Sequence, residues 1–257
     1  MRKSPLALVA TLALAASCSH DKPYTISGII DIPDSLQLGD TIVATPSFEG
    51  WQVYMLDLDG SPIDSVEISD NQFAFEGKVD SRNPFFVYLA NDICVGMIAV
   101  EPGDIQVTIN ESSLIASGTS TNDLMTDLDG SIQDMQESVY NKLAEFTNDN
   151  SGDQIPDSIM MPIYMEFMDQ TSQLLDSFYT ANEGTLGAQY VVNYITSQVQ
   201  SSEELLEILA TYPDEIQNSQ LFRSRLDYMR QMEAYYKMFE EESAEDDSTP
   251  LQLIPNE

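Results

Sequence analysis

VYMLDLDGSPIDSVEISDNQFAFEG, residues 53–77, reads as three short strands joined by two tight turns. Successive side chains of a strand point to opposite faces, so Val53, Met55 and Asp57 share one side of the first strand and Tyr54 and Leu56 the other. Asp59-Gly60 is a hairpin turn signal. Ile63, Val66 and Ile68 carry the second strand. Asp70-Asn71 turns the chain again, and Phe73 and Phe75 mark one face of the third strand at period two. The expectation is a three-stranded meander, and with it an antiparallel sheet domain in the N-terminal half.

On the N-terminal side, residues 24–32 and 41–45 read as strands, with 33–40 as a loop and 46–50 as a turn. On the C-terminal side, Asn83-Pro84 breaks the chain before the near-continuous apolar run 85–89, which suits a strand covered on both faces. Residues 95–100 form another strand. Glu101-Pro102-Gly103-Asp104 is a turn. Ile105, Val107 and Ile109 alternate along one more strand, and Leu114-Ile115 adds an edge. Eight or nine closely spaced short strands indicate a sandwich or open barrel.

At Gly118 the period becomes helical. Leu124, Leu128, Ile132, Met135, Val139, Leu143 and Phe146 form a stripe behind a cap at Thr121 or Asn122. Gly130 weakens this helix by about 1 kcal/mol relative to Ala. After a polar loop over 147–157, a second helix over 158–182 carries Ile159, Ile163, Phe167, Thr171, Leu174 and Phe178. A third, 187–200, carries Tyr190, Val191, Tyr194, Ile195 and Val199. Ser202 caps a fourth with Leu205, Leu206 and Leu209, which stops before Pro213. The last begins near Ser219 and includes Phe222, Leu226, Met229, Met232, Tyr236 and Phe239. The fold class is therefore α+β: an N-terminal antiparallel β-sandwich or open barrel over 24–118, followed by a helical module of about five helices over 119–242. Residues 243–257 read as an acidic disordered tail.

Residues 1–17 read as a signal peptide. Arg2 and Lys3 make a positive start, and the apolar run 5–16 is shorter than the roughly 20 residues that span a bilayer. Leu14-Ala15-Ala16-Ser17-Cys18 resembles a bacterial lipobox, which implies cleavage before Cys18 and lipid on its thiol. The alternative is an ordinary secretory signal cut after Ala16 or Ser17. Residues 18–23 form a tether. The chain has two cysteines. With Cys18 acylated, Cys94 has no intramolecular partner, and its apolar surroundings mark a packed rather than a reactive thiol.

Forty-three acids against 10 bases give a net charge of −33. Such a surface repels nucleic acid and anionic lipid headgroups, so membrane attachment rests on acyl chains. The sole histidine, His20, lies in the tether, which removes Ser-His and Cys-His hydrolases and Cys/His zinc sites. Asp-Leu-Asp-Gly-Ser occurs at both 57–61 and 127–131. Neither copy continues with the ligand spacing of an EF-hand, and their recurrence reads as coincidence. The oxygen-rich run 148–153, with Asp157, reads as a solvated loop rather than a Ca²⁺ site. Met160, Met161, Tyr164, Met165, Met168, Tyr228, Tyr235 and Tyr236 read as helix core, with a ligand groove as the alternative.

Ile26-Ser27-Gly28, Ile63-Asp64-Ser65-Val66, Phe73-Ala74-Phe75-Glu76-Gly77, Glu101-Pro102-Gly103-Asp104 and Ser117-Gly118-Thr119 with Asn122, taken in that order, resemble the domain of unknown function DUF4369. In Bacteroidetes that domain often opens thiol–disulfide oxidoreductases similar to the TlpA and ResA groups. The helical half looks like the spacer those proteins place before a thioredoxin domain. What the resemblance implies is a scaffold and an envelope location. It does not carry over redox chemistry, because the sequence has no Cys-x-x-Cys and its only Trp, Trp51, lies in the sheet half. The expectation is a non-catalytic envelope protein, lipid-anchored through Cys18 to the outer membrane on its periplasmic side or surface, that acts by binding an envelope protein. No catalytic, cofactor-binding or metal-binding residue is expected. The alternatives are an accessory to a thiol–disulfide system supplied by another chain and, as a third reading, a carboxylate-based hydrolase.

Overall fold

The computed structural model describes residues 20–38, 41–92, 94–111, 113–149 and 155–246. Among the described residues ten strands precede six helices, giving an α+β architecture. The first sheet has the order β10-β9-β1-β6, from strands β1 (Asp21–Ile30), β6 (Gln72–Asp80), β9 (Gly103–Ile109) and β10 (Leu114–Ser117). The second has the order β5-β4-β7-β8, from β4 (Gln52–Leu56), β5 (Pro62–Glu67), β7 (Phe85–Ala90) and β8 (Val95–Val100). The pairing is antiparallel except between β1 and β9. The two sheets stack as a sandwich, not a closed barrel. A separate hairpin, β2 (Ser35–Leu38) with β3 (Thr41–Ala44), occupies part of the expected loop.

The expected meander is opened at its second turn. Asp70 and Asn71 both take positive φ, +52° and +59°, and Ser69 and Gln72 exchange two backbone hydrogen bonds of 2.9 Å. That is the geometry of a two-residue hairpin turn. Beyond it the chains part: β5 stays with β4, whereas β6 pairs with β1 over nine positions. The turn is thus a corner between sheets. What draws β6 across is its fit to β1. A Cβ at Gly28 would stand 2.0 Å from the Phe73 ring, and one at Gly77 2.6 Å from Tyr24, so each ring lies over a cross-strand glycine.

Inside the sandwich, Ile26, Val53, Ile68, Phe75, Ile98, Ile105 and Val107 form the first core. The run 85–89 is covered on both faces, as its composition requires. Val87 and Leu89 enter that first core, and Phe86 points the other way into a second one built by helices. The molecule therefore has three layers, sheet on sheet on helices. The helical layer comprises α1 (Ser120–Asp149), α2 (Asp157–Ala181), α3 (Leu186–Ile195), α4 (Ser202–Leu209), the single turn α5 (Asp214–Gln217) and α6 (Gln220–Asp246). α5 was not legible as a separate element, α1 runs unbroken through Gly130, and α6 extends past the expected boundary at 242. Among the described residues no helix is long and apolar enough to cross a membrane.

The elements share a polarity that places the site. β1 starts beside the end of β6, with Asp21 opposite Asp80 and the Ser81 N–H donating to the His20 carbonyl at 2.9 Å. β9 starts at the same end, opposite Tyr24. α1, α3 and α6 leave from this end, and α2 and α4 return to it. α6 passes the C-terminus of α3 at Arg225 and the N-terminus of α4 at Glu233. α3 has 10 residues, against 30 in α1 and 27 in α6. At 1.5 Å per residue the long helices outrun it at the far end.

Candidate functional site

The last two segments behind the family resemblance, 101–104 and 117–119 with Asn122, form a joint between sheet and helix. Glu101 is 8% exposed, and its carboxylate accepts the Thr121 N–H at 2.7 Å and the Thr121 hydroxyl at 2.9 Å, capping α1 from another element. Asn122, expected as a cap, lies inside the helix and is fully buried. Its Nδ2 donates to the Ala99 carbonyl at 2.8 Å and its Oδ1 accepts the Ala99 N–H at 3.0 Å. Gly118 holds φ +93°, and a Cβ there would stand 2.5 Å from the Asp104 carbonyl oxygen. Asp104 in turn accepts the Thr25 hydroxyl at 2.7 Å.

Clefts line the boundary between the second sheet and the helices. The largest, about 1060 Å³, lies at the end where β1 begins, between Arg82, Glu101, Tyr179, Glu183 and Pro213. Another of about 540 Å³ is lined by Asp59, Tyr88, Asn193, Arg225 and Asp227. The chemistry there is already committed. Arg225 donates to Asn193 Oδ1 at 3.1 Å, to the Thr196 hydroxyl at 2.8 Å and to the Thr196 carbonyl, bracing the C-terminus of α3. Burial pushes its pKa down, against the pull of Tyr88. Sequence reasoning missed this residue. The available signal was a cation on the apolar stripe, between Phe222 and Leu226. Asp59 accepts the Ser61 N–H at 2.8 Å, and that hydrogen bond holds its carboxyl below the usual range. Tyr190 donates to both Asp129 oxygens, at 2.8 and 2.9 Å. Desolvation drives both groups upward in pKa, Asp129 despite that hydrogen bond.

The expected core at the far end is not a core. Met161, Tyr164, Met165 and Met168 of α2 are 45–67% exposed, and Tyr228, Tyr235 and Tyr236 of α6 are 52–63% exposed. The reason for the α2 turns is length, because they lie beyond the reach of α3, whereas Tyr228 lines the cleft beside Asn193 and Tyr88. Between α1 and α2, Tyr164 lines a groove of about 310 Å³ together with Gln136, Val139, Tyr140, Leu143 and Phe167.

The other expected residues scatter. Cys18, the signal peptide and most of the acidic tail lie outside the described residues, as do 150–154 of the oxygen-rich loop, whose start is the end of α1. His20 stands at the start of β1. Cys94 is half-buried against the first core, and burial pushes its thiol up. Trp51 packs edge-on to Phe48 at 5.2 Å. The two identical pentapeptides form a β4–β5 turn and a stretch of α1. The structure brings none of these together.

Residues 24–125 match the domain of unknown function DUF4369. The match spans the sandwich and ends within α1, just past Thr121 and Asn122, so it includes the whole joint. Comparison with curated proteins and with solved structures finds no match.

Proposed function

We propose that this DUF4369-bearing chain is a non-catalytic, lipid-anchored envelope protein that works by binding another protein. The observation that carries the reading is the concentration of exposed Met and Tyr side chains on helical turns remote from the start of β1. Cys18 precedes the first strand residue, Asp21, by three positions, a span of about 10 Å at most. Lipid on Cys18 would hold that end of the sandwich close to a bilayer and aim the helical arms away from it. A concentration of exposed apolar side chains on a strongly acidic chain is costly to keep unless it is used, and it supports an interaction site.

The lipobox-like segment and the resemblance to Bacteroidetes envelope proteins support an outer-membrane location, on the periplasmic side or the surface. The engagement of Glu101 and Asp59 within the fold and the raised thiol of Cys94 favour binding over catalysis. Two measurements test the reading. Cys18→Ala should move the protein from the membrane to the soluble fraction. A photo-crosslinker at Met165 should capture an envelope protein in intact cells, and one at Ile63, also exposed but on β5, should not. Unchanged fractionation removes the anchor, and equal labelling at both positions removes the binding face.

A further inference from the structure

The groove between the distal halves of α1 and α2 has a shape, a lining and a charge that together select an occupant. Five of its six lining residues are aliphatic or aromatic, and Gln136 is the exception. Met161, Met165 and Met168 interleave in sequence with its α2 lining, Tyr164 and Phe167, and are exposed at 52, 67 and 66%. An open channel along two antiparallel helices suits a third helix laid lengthwise, whose own apolar stripe fills it. Methionines favour this because their unbranched, polarizable side chains re-pack around different knobs.

Charge decides which helix. Residues 120–181 carry twelve Asp and Glu against one cation, Lys142. Lys142 is already paired with Glu166 at 2.9 Å. Nothing on the hairpin is left to attract an acidic partner. A second copy of this chain would bring the same acids to the same rim, and an anionic lipid surface would be repelled likewise.

We infer that this groove is the docking site for a cationic amphipathic α-helix of a partner protein. The inference deepens the binding reading above and rests on it. Apolar contacts in the groove supply the affinity, and the acidic rim steers encounter and makes it salt-dependent.

The test uses the full chain carrying Cys18→Ala, titrated with a striped Leu/Lys helical peptide of about five turns. Two controls share its length: the same composition with the stripe scrambled, and a striped Leu/Glu peptide. The striped Leu/Lys peptide should bind, and added salt should weaken it. Tyr140→Ser and Tyr164→Ser, both lining the groove at exposed positions, should each weaken binding by about tenfold while circular dichroism stays unchanged. Equal binding of the scrambled peptide would reduce the effect to bulk electrostatics, and equal binding of the Leu/Glu peptide to apolar adhesion. No peptide binding, unaltered affinity in the variants, or a dimer in sedimentation abolished by the same substitutions would each overturn the inference. Crosslinking at Met165 that persists after such a failure leaves the binding reading standing, and its loss removes both.

Discussion

Asn122 occupies the place where a further strand would sit. β8 is an edge strand, and the Asn122 amide takes both of the hydrogen bonds that Ala99 would give to a neighbour. Asn122→Ala leaves a buried donor and a buried acceptor unpaired, which costs about 3 kcal/mol. Urea unfolding should show the loss, and a change below about 1 kcal/mol would mean that water or the helix backbone replaces the amide. The sequence placed Asn122 as a cap because Thr and Asn before an apolar run carry that signature. The real cap, Glu101, comes from another element, which a local pattern does not record. Asp129 makes a different case. Its folded pKa lies above the unfolded one, so its favourable contribution is complete below the unfolded pKa and is lost as pH rises through the folded value. Asp129→Asn should therefore gain stability relative to the parent at about pH 7, and the gain should vanish near pH 3. A variant weaker at neutral pH than in acid would contradict the sign.

The twin pentapeptides set out what an element owes to its surroundings. Asp57–Ser61 and Asp127–Ser131 are identical, yet one is a turn between β4 and β5 and the other a stretch of α1. Flanking period decides: alternation brackets the first, and the stripe Leu124, Leu128, Ile132 runs through the second. Their glycines should answer substitution with opposite signs. Gly60 holds φ +85° with open space around it, so Gly60→Ala meets only the left-handed penalty, a loss of about 1 kcal/mol. Gly130 also has no neighbour within 4 Å but sits in helix, so Gly130→Ala should gain about 1 kcal/mol. Chemical denaturation of the two single variants compares them, and a shared sign would show that the environment, not the backbone, governs one of them. The opened meander teaches the converse. Strand positions and the Asp70-Asn71 turn were legible because both are local. The departure of β6 to the other sheet depends on Tyr24 and Phe73 meeting glycines on a strand more than forty residues away.

At the scale of the molecule, periodicity revealed the helices but not which stripes would find partners. The stripe of α1 is buried through Ile132 and then opens, although its spacing continues to Phe146. Burial follows from the short reach of α3 and the width of the second sheet, quantities that a single helix does not encode. The same long helices carry much of the negative charge, and this governs stability as a whole. Ion pairs such as Arg82–Asp80 and Arg230–Asp227 are exposed and contribute little. The net charge of −33 leaves repulsion as the larger long-range effect. Salt acts on both, screening attraction in the pairs and repulsion among the remaining acids. Raising ionic strength from about 0.01 M to about 0.1 M shortens the screening length from roughly 30 Å to roughly 10 Å, still longer than the 2.7 and 3.9 Å separations within the pairs. Repulsion is thus screened first. The thermal unfolding midpoint should rise across that interval in sodium chloride and flatten above it. A midpoint that falls with salt would mean that the few ion pairs outweigh the acidic excess.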